Sequence, residues 1–166
     1  LIGMEALSAI NLTAPAIALI TAISGMLATG GSAVVMKKMG EHKEQEARQD
    51  FTLLILTNAV VGGVMMVLGY TLMDTLLGTM GLSPAVFGYC HTYLSNYLLF
   101  TIPILLMYNF SLYLIAADKS TLSLICTVTG GVTNIILDYV LIALFDLGIQ
   151  GAAIATGLGY SITAVV

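Results

Sequence analysis

The chain has 166 residues, of which 58% are hydrophobic and only 8% are charged. A soluble domain carries about a quarter charged residues, so this chain has too little charge to cover a water-facing surface, and a lipid bilayer suits it better. A formal net charge of −4 with no long basic run excludes nucleic acid as a partner.

Long uncharged runs, separated by short charged segments, predict an all-α integral membrane protein, a polytopic bundle of five transmembrane helices. A helix needs about 20 apolar residues to cross the hydrocarbon core. The runs place the five helices at about 10–36, 51–76, 85–117, 121–145 and 150–166. Pro15 and Pro103 fall inside the first and third helices and are candidate kink positions.

The basic residues predict the topology, because all of them lie in two of the four connections. They are Lys37, Lys38, Lys43, Arg48 and Lys119. Alternation of the spans puts loops 37–50 and 118–120 on one side, which the positive-inside rule makes the cytoplasmic side of the inner (plasma) membrane. A short interfacial helix is expected within 37–50. The amino terminus then lies outside, so a further helix upstream of Leu1 is expected.

One carboxylate, Asp138, falls within an apolar segment, where a charge costs a few kcal/mol or more. Its helix carries Thr127, Gly131, Asn134 and Asp138 at spacings of four, three and four, which places them on one face. Beyond a short outer turn, Thr156 lies at matching depth, roughly 10–12 Å from that turn. A row of small residues at 151, 155 and 159 should let the two helices approach closely.

A carboxylate, an amide and a hydroxyl are hard oxygen donors, so Asp138, Asn134 and Thr156 are predicted to bind Na⁺ or, through a protonated Asp138, to carry H⁺. Asn109, one or two turns nearer the cytoplasm, is a further candidate for this network. A purely structural role stays open for both Asp138 and Asn109. In that case each side chain would only form hydrogen bonds that fix helix packing, as is predicted for Asn58.

Several segments resemble the multidrug and toxic compound extrusion (MATE) family of transporters. NIILDYVLI at Asn134–Ile142, followed by LGIQGAAIATGLGY at Leu147–Tyr160, is similar to the region of helices five and six in that family. ALSAINLTAPAIAL at Ala6–Leu19 and GGSAVVMKKMGEHKEQEA at Gly30–Ala47 resemble the second helix and the cytoplasmic loop after it.

The resemblance implies a two-lobed transporter of twelve helices that exports small organic cations in exchange for Na⁺ or H⁺, without a cofactor. Residues 1–166 would form a single lobe truncated at both ends, supplying helices two to six. Asn134, Asp138 and Thr156 match the cation-site positions, and Asn109 matches a helix-four asparagine. The expected partners are the bilayer, the transported cations and the remaining helices of the full-length protein.

Two other functions stay open. A lipid-linked oligosaccharide flippase of the same superfamily would share the helix order but should have a more basic cavity, whereas the predicted spans hold no Lys or Arg. A non-transporting membrane scaffold or enzyme subunit is the second. An enzyme should show several reactive groups at one membrane depth, and Asp138 is the only one, so the chain is predicted not to be an enzyme.

Overall fold

The computed structural model describes residues 4–165, and within them the chain is helical with no strand. The helices are α1 (Met4–Gly40), α2 (Glu44–Thr79), α3 (Pro84–Leu99), α4 (Thr101–Ala116), α5 (Ser120–Asp138) with a π-helical continuation (Tyr139–Leu144), and α6 (Gly148–Val165). Short connections join them, so neighbours in sequence pack against one another. The predicted all-α bundle is confirmed.

Three of these helices are long and apolar enough to cross a membrane: α1, α2, and α5 with its π-helical continuation. α3 and α4 qualify together as a fourth, broken span, bent by 55°. α6 is not among them. It packs against α3, α4 and α5. The five predicted helices therefore exist, with the third divided in two.

The division of the third predicted helix follows from Pro103. Proline has no N–H, so Pro103 leaves the carbonyl of Leu99, one turn earlier, without its helical hydrogen bond. The break falls at Phe100, whose own N–H donates to the Tyr97 carbonyl at 3.0 Å. Pro15, the other candidate kink, lies inside the continuous helix α1.

The corner between α1 and α2 corrects the expectation of a short interfacial helix within 37–50. α1 continues to Gly40 and α2 begins at Glu44, so the charged residues extend these two helices instead of forming a third. Lys38 Nζ lies 2.7 Å from Asp50 Oδ2, which ties the two ends together. This hydrogen bond raises the pKa of Lys38 above its ordinary value.

The outer faces of the bundle are apolar. On α5 and its π-helical continuation, the face opposite the polar stripe carries large apolar side chains, each at least half exposed: Val128, Val132, Ile135, Ile136 and Tyr139. Hydroxyl groups on this helix donate to carbonyls one turn earlier, as Thr129 and Thr133 do at 2.8 Å. Such bonds satisfy polar groups in a medium that has no water to do so.

Candidate cation-binding site

Helices α5 and α6 pack closely because glycines leave no side chain between them. A Cβ atom on Gly159 would lie 3.0 Å from the carbonyl oxygen of Gly130, and one on Gly151 would lie 3.1 Å from the backbone of Leu141. Gly151, Ala155 and Gly159 are all buried. The predicted small-residue row is therefore confirmed as the contact surface of the two helices.

This close packing brings Asn134 and Thr156 together. Asn134 Nδ2 donates to Thr156 Oγ1 at 3.4 Å, and the Thr156 hydroxyl donates to the Ala152 carbonyl at 2.9 Å. Both side chains are half-buried. The long distance between Asn134 and Thr156 indicates a weak bond that an incoming ligand can replace. The Asn134 carbonyl oxygen takes no part in that bond.

Asp138 lies one turn beyond Asn134 on α5 and is half-buried. Its Oδ1 atom is buried and accepts no hydrogen bond from residues 4–165. No Lys or Arg in that part of the chain forms an ion pair with it. A hydrogen bond from Thr156 to Asp138 is not formed, since the helix register places Thr156 beside Asn134. The bond across the bundle that a purely packing role requires is therefore not present among the described residues.

A cavity of about 230 Å³ opens between α4, α5 and α6 beside these residues. Its polar lining comes from Thr127, Asn134, Thr156, Tyr160 and Thr163, and Met107 adds an apolar wall. The predicted polar stripe of α5 thus faces a cavity as far as Asn134. Asp138 lies just past the end of this cavity, on the side of the α5–α6 turn.

Asn109 is not part of this group. Its side chain is 1% exposed and lies at the contact between α4 and α2. Its Nδ2 atom donates to Asn58 Oδ1 at 2.7 Å and to the Leu105 carbonyl at 3.0 Å. The four predicted site residues thus divide into three on α5 and α6 and one at another interface. Asn58, predicted to be a packing amide, is Asn109's partner.

Tyr93 is a neighbour of the site that the sequence analysis did not identify. It lies on α3, is 7% exposed, and has Asp138, Thr156 and Tyr160 among its neighbouring polar side chains. Tyr93 and Tyr97 stack with their ring centroids 6.3 Å apart, one turn from each other. The four-residue spacing of these two aromatic side chains places them on one face of α3.

The fold and the site together define a multi-pass, all-helical membrane protein with a polar site between two closely packed helices. A family model described as MatE matches residues 1–140, and the chain belongs to the MatE family as a fragment of a MATE transporter. The family consists of transporters, which confirms that the chain is not part of an enzyme.

One curated relative is the multidrug export protein MepA of Staphylococcus haemolyticus (strain JCSC1435). It is 26% identical over 156 residues, which cover 94% of this chain and 34% of that protein. The chain thus spans about a third of the length of the relatives it matches.

Solved structures share the fold. The outward-facing conformation of a multidrug resistance MATE family transporter of the MOP superfamily has a TM-score of 0.93 at 22% identity, covering 99% of this chain and 36% of that one. The inward-facing conformation of such a transporter has a TM-score of 0.91 at 22% identity, with coverages of 97% and 37%. One arrangement of these helices therefore fits both conformations.

Proposed function

We propose that the full-length protein is a secondary active antiporter of the cell (inner, plasma) membrane. It exports cationic or amphipathic organic compounds in exchange for Na⁺ or H⁺. The observation that carries this proposal is the Asp138 carboxyl oxygen, buried without a hydrogen bond or ion pair from the described residues. An intramembrane carboxylate without a partner is stabilised by a bound cation or by a proton.

Asn134 and Thr156 complete the proposed site. Their oxygens are hard, neutral donors of the kind that Na⁺ shares with other hard cations, and Asp138 supplies the charge. Binding of Na⁺ would replace the weak hydrogen bond between Asn134 and Thr156, while binding of H⁺ would need only Asp138. In both cases the charge of the site is neutralised when the coupling ion is bound.

A rigid lobe suits this mechanism. The helices of this chain match outward-facing and inward-facing structures almost equally well, with TM-scores of 0.93 and 0.91. Alternating access then requires the lobe to move as one body against a second lobe, with the ion site travelling inside it. Neutralising Asp138 lowers the cost of that movement through the bilayer.

The charge distribution supports a cationic cargo. Within the described spans the basic residues lie only at the helix ends joined by the α1–α2 and α4–α5 connections, and we assign these ends to the cytoplasm. A flippase for lipid-linked oligosaccharides would need positive charge in its cavity to hold the acidic linkage, and the cavity lining described above has none. A scaffold would have no use for an ion-responsive carboxylate.

Efflux of a fluorescent organic cation by the full-length protein tests the proposal. Cells or proteoliposomes are loaded with the dye, and the Na⁺ and H⁺ gradients are removed one at a time with selective ionophores. Efflux should stop when one of the two gradients is lost. Efflux that survives loss of both gradients, or movement of a labelled lipid-linked sugar diphosphate instead of the dye, would overturn it.

A further inference from the structure

A pair of asparagines connects α2 and α4 inside the bundle. Asn58 is fully buried and Asn109 is 1% exposed. Their helices approach closely one turn away, where a Cβ atom on Gly62 would lie 3.2 Å from the Cα atom of Ile102. The pair therefore forms at a contact that keeps the two side chains within reach of each other.

Both amide hydrogens of Asn109 are committed. An asparagine carboxamide has two N–H donors and one carbonyl oxygen that accepts. Asn109 gives its two hydrogens to Asn58 Oδ1 at 2.7 Å and to the Leu105 carbonyl at 3.0 Å. Its own Oδ1 atom is buried and accepts nothing from residues 4–165.

The orientation of Asn109 is set from α2. Asn58 Nδ2 donates to the Leu54 carbonyl at 2.7 Å, and this bond turns Asn58 Oδ1 toward Asn109. If the Asn109 carboxamide rotated by half a turn, its oxygen would face Asn58 Oδ1 and the Leu105 carbonyl, which are both acceptors. The hydrogen bonds from Asn58 to Leu54 and from Asn109 to Asn58 thus leave the Asn109 carbonyl oxygen without a partner among the described residues.

We propose that Asn58 is a positioning residue, which holds Asn109 so that its carbonyl oxygen receives a cation or a hydrogen-bond donor and never an anion. This inference rests on the proposed cation-coupled transport. Fitting ligands are Na⁺, a hydrated proton, or the ammonium group of an organic cation. Asn58 acts only through Asn109 and touches no ligand itself.

The pair lies at a different depth from the Asp138 site. Asn109 is in the middle of α4 and Asn134 is in the second half of α5, and one short connection joins these two helices. At 1.5 Å per residue, Asn109 lies roughly 10 Å from that connection and Asn134 roughly 20 Å. The Asn109 carbonyl oxygen is therefore a second proposed ligand atom, called here the Asn109 station, about 10 Å nearer the side assigned to the cytoplasm.

Two variants of nearly equal size separate positioning from packing in the full-length transporter. Asn58→Leu removes every polar atom. Asn58→Asp, neutral in this apolar setting, still accepts from Asn109 and donates to Leu54. The readouts are the half-saturating Na⁺ concentration at fixed pH and the pH profile of efflux at fixed Na⁺. For whichever of the two ions is coupled, Asn58→Leu should shift the dependence of efflux on that ion's concentration by about fivefold, which corresponds to one lost hydrogen bond. Asn58→Asp should shift it by less than about twofold.

A double-mutant cycle tests whether Asn58 acts through Asn109. In an Asn109→Leu background, Asn58→Leu should have no further effect on the ion dependence, because the group that it positions is gone. Asn96→Leu is the matched control, since that amide donates to the Thr92 carbonyl of its own helix at 2.7 Å. It should leave the ion dependence at its wild-type value. Asn58→Ser and Asn58→Ala provide a smaller pair, with and without a hydroxyl, where Asn58→Leu does not fold.

The outcomes distinguish the two proposals. If the wild-type protein moves the dye without any ion dependence, the proposed function is wrong. If the wild type is ion-dependent but Asn58→Leu lowers only expression or thermal stability, Asn58 is a packing residue. Equal effects of Asn58→Leu with and without Asn109 also overturn the positioning role.

Discussion

The carboxylate of Asp138 is set apart from the other acidic side chains, which lie at or near helix ends. Its neighbours Asn134 and Thr156 form only a weak hydrogen bond with each other, at 3.4 Å. A group in this state has its highest free energy when it is ionised and unpaired. Ion binding and protonation both relieve that cost, so the residue is suited to the ion coupling that we propose.

Asp138→Asn tests this role, because it keeps the size and removes the charge and the titratable proton. We expect normal expression of the full-length variant and a loss of gradient-driven dye efflux of at least about tenfold. Asp146→Asn is the matched control. Asp146 is exposed in the α5–α6 turn at φ 53°, a conformation that asparagine tolerates. Unimpaired, gradient-dependent efflux by Asp138→Asn would make the carboxylate structural.

Thr156→Val separates the two coupling ions. The change replaces a hydroxyl by a methyl group and removes one oxygen from the site while the volume stays nearly constant. If Na⁺ is the ion, its half-saturating concentration should rise by about fivefold, corresponding to one lost oxygen contact, whereas H⁺-coupled efflux should change little. Thr129→Val, on the exposed face of α5, is the control. A Na⁺-driven protein whose Na⁺ dependence is unaffected by Thr156→Val does not use this hydroxyl.

The sequence predicted part of this site because spacing along one helix determines face and depth. Spacing and the short turn placed Thr156 at the depth of Asp138, whereas in the structure Thr156 pairs with Asn134, one turn earlier on α5. Spacing does not determine which neighbouring helix a side chain meets. For that reason the contact of Asn109 with Asn58 on α2 was not predicted, and Tyr93 on α3 was not identified.

At the scale of elements, hydropathy located the helical segments, with α3 and α4 as a single one, but not where the helices end. It marks where a chain enters the hydrocarbon core, whereas α1 and α2 continue into water as charged helical turns. Pro103 predicted the bend in the third span, since a missing N–H is visible in the sequence. The π-helical continuation Tyr139–Leu144 has no such signature. It begins directly after Asp138, as π-helical turns often do beside functional groups.

Gly159→Val tests the close approach of α5 and α6. The new side chain would meet the Gly130 carbonyl oxygen at 3.0 Å and the Asn134 Cβ atom at 3.1 Å. Overpacking of this kind destabilises by about 1–3 kcal/mol, so the melting temperature of the purified full-length protein should fall. Gly25→Val is the matched control, because a Cβ atom there meets nothing within 4 Å. Equal melting temperatures of the two variants would mean that the glycine contact is not needed.

At the scale of the whole molecule, the bundle combines a polar interior contact with extensive apolar outer faces. The alternation of spans and charged connections predicted this architecture, because a bilayer imposes the same constraint on every helix that crosses it. The small-residue row predicted the contact of α6 with α5, whereas hydropathy did not indicate that α6 also packs against α3 and α4.

The orientation of the bundle remains a prediction from the basic residues, and it is testable in intact cells. Lys43→Cys lies in the α1–α2 corner and Ser83→Cys at the start of α3, at opposite ends of α2. Cys90 and Cys126 are buried, so the wild type should react slowly with a membrane-impermeant thiol reagent. We expect Ser83→Cys to be labelled in intact cells and Lys43→Cys only after permeabilisation. Labelling of both positions from the same side would refute the topology, and it would also remove the basis for placing the Asn109 station nearer the cytoplasm than the Asp138 site.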